Sequence, residues 1–352
     1  MKQLSHSQIN TYSQCGKKYY YHYINRLRSK TTTGALLFGS TLDITINTLL
    51  EDKKTNNVRP LEVYTNLFEK NWEFGDINKQ KVNLKDTDLV VYAESDFDES
   101  LLPKDYDIAK YKKYIGMKKA MGLKNLYGDT IKFIGYTNWL CLLEKGKLMI
   151  KTYYNDFLPR INQVLSIQDK IELKDNNGNS VIGFCDAVLD IKEYGVMICD
   201  LKTSSKRYQA TSANVSSQLA VYKHALSNRF PNSRVGFIVL YKKIQSNKVK
   251  TCSKCSFDGN DSKHSTCPNE INGSRCKGEW TITSSPEAEL EFIPGTIDQH
   301  FEESVIENYE IILKNIENEN FYRNWNACDE FSGCPYKSVC HKNDKSSLIV
   351  IE

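Results

Sequence analysis

No stretch of this 352-residue sequence approaches the roughly 20 consecutive apolar residues that a membrane-crossing helix needs, and the opening MKQLSHSQIN has no apolar core of the kind export signals carry. We therefore expect an unexported chain with no membrane partner. No GxxxxGK[ST] phosphate loop occurs, so an ATP motor of that type is excluded from the chain itself. Internal repeats are missing too. Charge of one sign is scarce: 47 Lys+Arg face 43 Asp+Glu for a formal net charge of +4, so a polyanionic partner has to be argued from local clusters. What is present is 40% hydrophobic residues, enough to bury one large core or two modest ones.

The eleven cysteines are the compositional surplus. In an unexported chain they are expected as free thiols or metal ligands rather than disulfides. Cys252, Cys255, Cys267 and Cys276 crowd one short polar segment, whereas Cys328, Cys334 and Cys340 space out near the end and Cys15 stands alone near the start. Cys141, Cys185 and Cys199 lie in apolar runs and read as small buried hydrophobes. CSKC is a sound zinc knuckle; Cys267 and Cys276 follow at eleven and eight intervening residues, and His264 is an alternative ligand. A structural Zn²⁺ would explain how so short a polar insertion stays folded.

Ser5 and Gln8 have capping-box spacing and predict a helix from about Ser7 to Ile24. A second helix is expected over GALLFGSTLDITINTLLED, where Leu42, Ile46 and Leu50 form an i, i+4 stripe and Asp43 lies on another face. From Leu61 to about Arg160 the pattern is mostly helical. It then changes to period two: VLSIQDKIELKD, a DNNGN turn, SVIGFCDAVLDI, an EYG turn and VMICDLKTS read as three consecutive strands. A helix (SSQLAVYKHALSNRF) and a strand (RVGFIVLYKKI) follow, then the cysteine-rich insertion and a last helix over about Ile297 to Asn320. This order implies a mixed sheet flanked by helices.

In ICDLKTS, alternation puts Asp200 and Lys202 on one face of a strand and Cys199 and Leu201 on the other. Asp186 interrupts the preceding strand between apolar neighbours and, in an antiparallel meander, lies across from Asp200. Two acids and a lysine then converge, a set suited to a hard divalent cation and a phosphate. Taken alone, an acid and a lysine two apart on a strand are better read as a solvated surface pair.

The wider run GFCDAVLDIKEYGVMICDLKTSS resembles the core of the PD-(D/E)XK nuclease superfamily, in its RecB-like branch, which includes phage and CRISPR-associated exonucleases. That pattern, G-x-x-D and then D-x-K-T, is matched by Gly183 to Asp186 and by Asp200 to Thr203, and its helix-borne Q-x-x-x-Y by Gln218 and Tyr222. Residues four apart share a helix face, so both reach one cleft. The resemblance implies a restriction-endonuclease-like α/β fold and a Mg²⁺- or Mn²⁺-dependent deoxyribonuclease, exonuclease more than endonuclease, with Asp186, Asp200, Lys202, Gln218 and Tyr222 as catalytic residues. Where the family places a histidine after a glycine, this chain has Gly39 and then Asp43, a candidate third carboxylate beside Asp186 and Asp200; Glu172 is a lesser one.

The flanks SxSxxxxYxxC and CxxFxxCPYxxxC resemble the iron-sulfur staple of the same branch, which implies a 4Fe-4S cluster on Cys15, Cys328, Cys334 and Cys340. Five residues separate Cys328 from Cys334 where the common family form has two. Zinc-bound or unligated thiols are the alternative for this set. KKYYYHYINRLRSK alternates aromatics and cations, so Lys17, Lys18, Arg26 and Arg28 are candidate contacts to DNA, single-stranded or duplex ends; a helix with a tyrosine-rich core face is the plainer reading. The expected organisation is N-terminal helices over 1–60, a mainly helical region over 61–160, a nuclease core over 161–245, a zinc-binding insertion over 246–285, and a C-terminal helix with the iron-sulfur segment over 286–352. The expected setting is the cytoplasm of a bacterium or an infected host cell, in recombination, repair or replication. A catalytically silent DNA-binding scaffold, or a nuclease subunit partnered by a helicase or recombination protein, are the rival readings.

Overall fold

The computed structural model describes residues 3–29, 31–72, 89–91, 96–107, 109, 129–174, 180–260, 262–271, 273–329 and 333–350. The expected DNNGN turn and much of the 61–160 region lie outside the described residues. The chain opens with strand β1 (Gln3–Ser5), which runs directly into α1 (His6–Gln14). Ser5 caps that helix: its hydroxyl accepts from Gln8 N at 3.2 Å while Gln8 Oε1 accepts from Ser5 N at 2.6 Å, closing the capping box. Caps of this kind contribute about 0.5–2 kcal/mol.

The single helix expected through Ile24 breaks instead at Cys15, which is extended (φ −167°, ψ 116°), before α2 (Gly16–Tyr19) and a π-helical turn (Tyr20–Ile24). The cause lies near the other end of the chain. Gly16 is pressed against Tyr322, where a β-carbon would stand 2.7 Å from the Tyr322 backbone nitrogen, and Lys17 N donates to Tyr322 O at 2.8 Å. Short strands β2 (Leu27–Ser29) and β3 (Thr31–Thr33) lead to α3 (Gly34–Lys54), α4 (Leu61–Asn71), β4 (Leu89–Val91), which pairs with β3, and α5 (Asp129–Thr152). The predicted stripe of α3 is buried at Leu42, Ile46 and Leu50.

Strands β5 (Ile161–Lys174), β6 (Ser180–Ile191) and β7 (Gly195–Ser204) form the expected antiparallel meander. Helix α6 (Ser217–Leu226), capped by Ser216, carries the chain back so that β8 (Arg234–Cys252) runs parallel to β7. A small hairpin, β9 (Glu270–Ile271) and β10 (Ser274–Arg275), precedes β11 (Trp280–Gly295), which pairs antiparallel with β8 as a long ribbon. The cysteine-rich segment sits at the tip of that ribbon. Helix α7 (Gln299–Glu317), capped by Asp298, and α8 (Lys337–Lys342) follow, and β12 (Leu348–Val350) pairs with β2.

The sheet is covered on both faces. On one, α3, α4 and α5 bury Leu42, Phe68 and Ile150 against Ala187, Cys199 and Ile238. On the other, α1, α6 and α7 bury Ile9, Leu219 and Tyr309 with Cys185, Ile198 and Val239. This is the mixed α/β architecture expected from the sequence. No helix among the described residues is long and apolar enough to cross a membrane.

Candidate active site

One edge of β6 pairs with β5 along its length, but the other edge is shared. β1 pairs in parallel with residues 180–182, and β7 pairs antiparallel with residues 187–191. Between them, Gly183 to Asp186 has no strand neighbour on that edge among the described residues, so the sheet opens as a fork. The β6–β7 ladder stops at Ala187↔Cys199, one step short of joining Asp186 to Asp200. Asp186 fills the opening with its side chain instead, Oδ2 accepting from Leu201 N at 2.8 Å. Across β5, the position facing Asp186 is Gln168, in the left-handed region (φ 49°) and outside the regular ladder. Cys185 and Ala187, two apart and so expected on one face, fall in opposite cores. The strand therefore turns over locally between Cys185 and Ala187, with no change of register against β5, and this re-aims Asp186.

Alternation on β7 holds as predicted: Cys199 packs toward α3, while Lys202 faces α6. Lys202 Nζ lies 2.6 Å from Asp200 Oδ2 and donates to Gln218 Oε1 at 3.0 Å, and Gln218 Nε2 donates to the Tyr222 hydroxyl at 2.8 Å. Gly183 sits between Ile171 and the Tyr222 ring, where a β-carbon would stand 3.3 and 3.4 Å from them. The structure thus brings Asp186, Asp200, Lys202, Gln218 and Tyr222 into one fork. Asp43 arrives from α3, whose Gly39 faces Thr203 of β7.

The acids are uncomfortable there. Burial first, then the Asp200 charge, raises Asp43 to about 6 despite a 3.1 Å hydrogen bond from Asn47. Burial and Asp200 likewise push Asp186 to about 8, against the Leu201 N–H that favours its charge. Asp200, its side chain only 2% exposed, is also raised by burial, with Lys202 opposing. For Lys202 burial works against the charge, and Asp200 outweighs it to raise the pKa.

Asp200 Oδ2 is buried and meets the Lys202 ammonium at 2.6 Å, a charge-assisted contact that leaves carboxylate lone pairs available to a cation. A buried carboxylate beside two further acids that resist ionisation is what a hard divalent cation would relieve, so the donor set fits Mg²⁺ or Mn²⁺ held by Asp186, Asp200 and Asp43. The three carboxylates do not close to the 4.8 Å spacing that the ribbon-tip cysteines reach.

Other candidates separate. Glu172 is exposed and pairs with Ile182, four residues along β5 from the position facing Asp186, so it does not join the fork. Lys18 is tied to Gln14, Arg28 to the His22 carbonyl, and Lys17 lies over the Tyr20 ring, while Arg26 is exposed in a left-handed turn. Of these, Lys18 lies near Cys334 and Arg28 near Tyr336, away from the carboxylates. Sequence reasoning missed His6. It follows β1 at the fork, its Nδ1 bonded to the Tyr309 hydroxyl, and burial and then the Lys202 charge lower its pKa to about 4, leaving it neutral. Its place between Ser5 and Ser7 was the only signal.

At the ribbon tip, the Cys252, Cys255, Cys267 and Cys276 sulfurs lie within 4.8 Å of one another, in two pairs 3.6 Å apart. The residues after Cys255 and Cys276, Ser256 and Lys277, take left-handed turns (φ 56° and 53°) that wrap the backbone around the sulfurs. A β-carbon at Gly278 would be 2.5 Å from Cys252 Sγ. The group can hold a metal ion, and His264 is exposed and outside it. Cys15, Cys328, Cys334 and Cys340 do not close to that spacing, but they come near enough that, after burial, Cys340 and Cys15 raise the Cys328 thiol and Cys328 and Cys15 raise that of Cys334.

A two-sided mixed sheet whose fork gathers acids and one lysine defines a metal-dependent nuclease class. The sequence model of the PD-(D/E)XK nuclease superfamily matches residues 3–341, and the chain belongs to that superfamily, whose members are metal-dependent nucleases. Comparison with curated proteins finds no match.

Proposed function

We propose that this chain is a Mg²⁺- or Mn²⁺-dependent exonuclease that works from DNA ends in recombination, repair or replication. The observation that carries the reading is the buried Asp200 carboxylate set between Asp186 and the Lys202 ammonium in the fork of the sheet. A bound divalent ion there supplies activation of water and neutralisation of phosphate charge. The chain's own residues do the rest. Asp186, Asp200 and Asp43 hold the ion, and Lys202, kept protonated by Asp200, sets a positive charge where the phosphate gains negative charge. Gln218 fixes the Lys202 ammonium, and Tyr222, neutral because burial raises its pKa, keeps its proton for a substrate oxygen. Action at ends is supported by the RecB-like D-x-K-T and Q-x-x-x-Y pattern of residues 200–203 and 218–222. ATP-driven unwinding by a phosphate-loop motor has to come from outside these residues, which carry no phosphate loop, and a helicase or recombination protein is the partner that would supply it.

At the ribbon tip we assign Zn²⁺. A tetrahedral ion with bonds of about 2.3 Å sets sulfurs about 3.8 Å apart, close to the spacing found there. For Cys15, Cys328, Cys334 and Cys340 we propose a 4Fe-4S cluster, whose four irons span a wider set of sulfurs than one ion does. Pairing of β12 with β2 supports this by holding the two ends of the chain together. Lys17, Lys18, Arg26 and Arg28 would then meet DNA beside the cluster rather than at the cleaved bond.

Protein purified without oxygen and supplied with Mn²⁺ is expected to digest linear DNA and to spare circles, and Asp200→Ala and Lys202→Ala to abolish digestion. Nicking of circles would make it an endonuclease. No cleavage by the wild type, or full activity in the two variants, would overturn the enzymatic reading in favour of a silent scaffold. About four irons and one zinc per chain are expected on metal analysis.

A further inference from the structure

The loop from β7 to α6, residues 205–216, leaves the fork just after Lys202 and sends one side chain back to it. The Tyr208 ring meets Phe237 edge to face at 5.4 Å. Phe237 is the β8 residue in register with Asp200, and the Lys202 ammonium lies 5.9 Å from the centre of its ring. Tyr208 thus packs on the same face of the sheet as Tyr222, within reach of the Asp200 and Lys202 charges. Its side chain is half-buried, yet its hydroxyl makes no hydrogen bond among the described residues. The packing uses the ring; nothing in the protein uses the phenolic proton.

We propose that Tyr208 is a further catalytic residue, its hydroxyl donating a hydrogen bond to a non-bridging oxygen of the phosphate that Lys202 faces. The inference rests on the nuclease reading of the fork. The proton stays on the tyrosine throughout: burial raises its pKa and outweighs Lys202, which pulls the other way. An ammonium has only donors to offer, and a protonated phenol beside it adds one more, so the acceptor that the pair fits is an anionic oxygen. The loop is built to hold that donor still. Tyr208 N donates to the Tyr241 hydroxyl at 3.3 Å, and that hydroxyl donates to Glu291 at 2.6 Å. Arg207, 4.4 Å over the Tyr241 ring, makes a two-pronged ion pair with Glu289, just past the point where the β8–β11 register shifts. Towards the end of the loop, Asn214 Oδ1 accepts from Thr296 N at 3.0 Å, and Ala213 packs so closely on Gly295 that a β-carbon there would stand 2.7 Å away. A donor fixed in advance costs no reorganisation as charge builds on the phosphate.

The test compares the full-length wild type with Tyr208→Phe, which keeps the ring on Phe237 and removes only the hydroxyl, in steady-state cleavage of linear DNA with Mn²⁺. Tyr208→Phe should lower kcat by about tenfold to a hundredfold and leave KM within about twofold, as loss of a donor used in the transition state predicts. Thermal unfolding like that of the wild type shows that the variant is folded. A second measurement uses DNA with one phosphorothioate of defined configuration at the cleaved linkage, because sulfur accepts hydrogen bonds poorly. In the wild type one of the two configurations should be cut more slowly through loss of the Tyr208 bond. In Tyr208→Phe that penalty should shrink by about the factor by which kcat fell, while the other configuration behaves alike in both proteins. A ring that serves packing alone would leave kcat and both sulfur penalties unchanged in Tyr208→Phe, and that result would overturn the proposal. So would a loss confined to KM, or a fall in kcat with both penalties intact. Wild-type cleavage that Tyr208→Phe shares in full removes Tyr208 from the chemistry and leaves the nuclease standing. A wild type that cuts no DNA removes both.

Discussion

At the tip of the β8–β11 ribbon four thiols already stand in two pairs 3.6 Å apart, whereas at the fork three carboxylates are buried near one another without closing to a comparable spacing. The tip is local. Its ligands lie within 25 residues, from Cys252 to Cys276, and tight left-handed turns shape the shell. The fork draws its ligands from α3, β6 and β7 and is set by which strands occupy one edge of β6. The contrast is that of a closed structural metal site with an open one that must keep room for water and substrate. In the first the metal completes a fold; in the second the fold holds charges in tension that a metal relieves.

The contrast breaks most visibly at the tip. Cys252→Ser should release the bound ion and unfold the ribbon end, because structural zinc can contribute on the order of 10 kcal/mol to small sites. Limited proteolysis should then cut within residues 252–280 while the main melting transition stays in place. An intact tip after metal loss would show that the turns alone hold it. At the fork the effect is on rate: Asp200→Ala and Lys202→Ala are each expected to lower kcat by about a thousandfold. Asp200→Asn should also raise the melting temperature of the metal-free protein, since it removes a buried charge. Unchanged melting would argue that the carboxylate is not under tension. Gln218→Ala, which frees the Lys202 ammonium, should reduce kcat by about ten- to a hundredfold with KM little altered.

Acidity sharpens the same comparison. An aspartate of the unfolded chain titrates near 3.8, while folding raises Asp43 to about 6 and Asp186 to about 8. Between those values the unfolded chain has given up protons that the folded chain retains. Metal-free stability should therefore fall as pH rises from about 4 to about 8. Mn²⁺ should oppose the decline, and its affinity should climb across the same window, because the ligands must lose those protons. Melting curves with and without Mn²⁺ read both slopes. A metal-free protein that gains stability toward pH 8 would contradict the burial of these acids.

The D-x-K strand, the Gln218–Tyr222 helix face and the capping box were legible because each depends on periodicity within a few residues. The fork was not. It needs β1, at residues 3–5, to take the part of the β6 edge that β7 leaves free, and no local pattern announces such a partner. For the same reason the break at Cys15 escaped notice, since it answers to Tyr322. Glu172 looked eligible as an acid on the preceding strand, but the register places Gln168 opposite Asp186. His6 carried no signal beyond its serine neighbours, and its position became meaningful only once β1 was seated beside the site.

That seating has a consequence for how the protein comes into being. β1 cannot pair until residues 180–182 have been made, and α1 behind it leans on α7 and is tied through the Tyr12 hydroxyl to the carbonyl of Asn320. On the ribosome, α1 therefore finds its place only after β6 and α7 have been made, and until β6 exists the fork lacks the short strand that flanks it on one side.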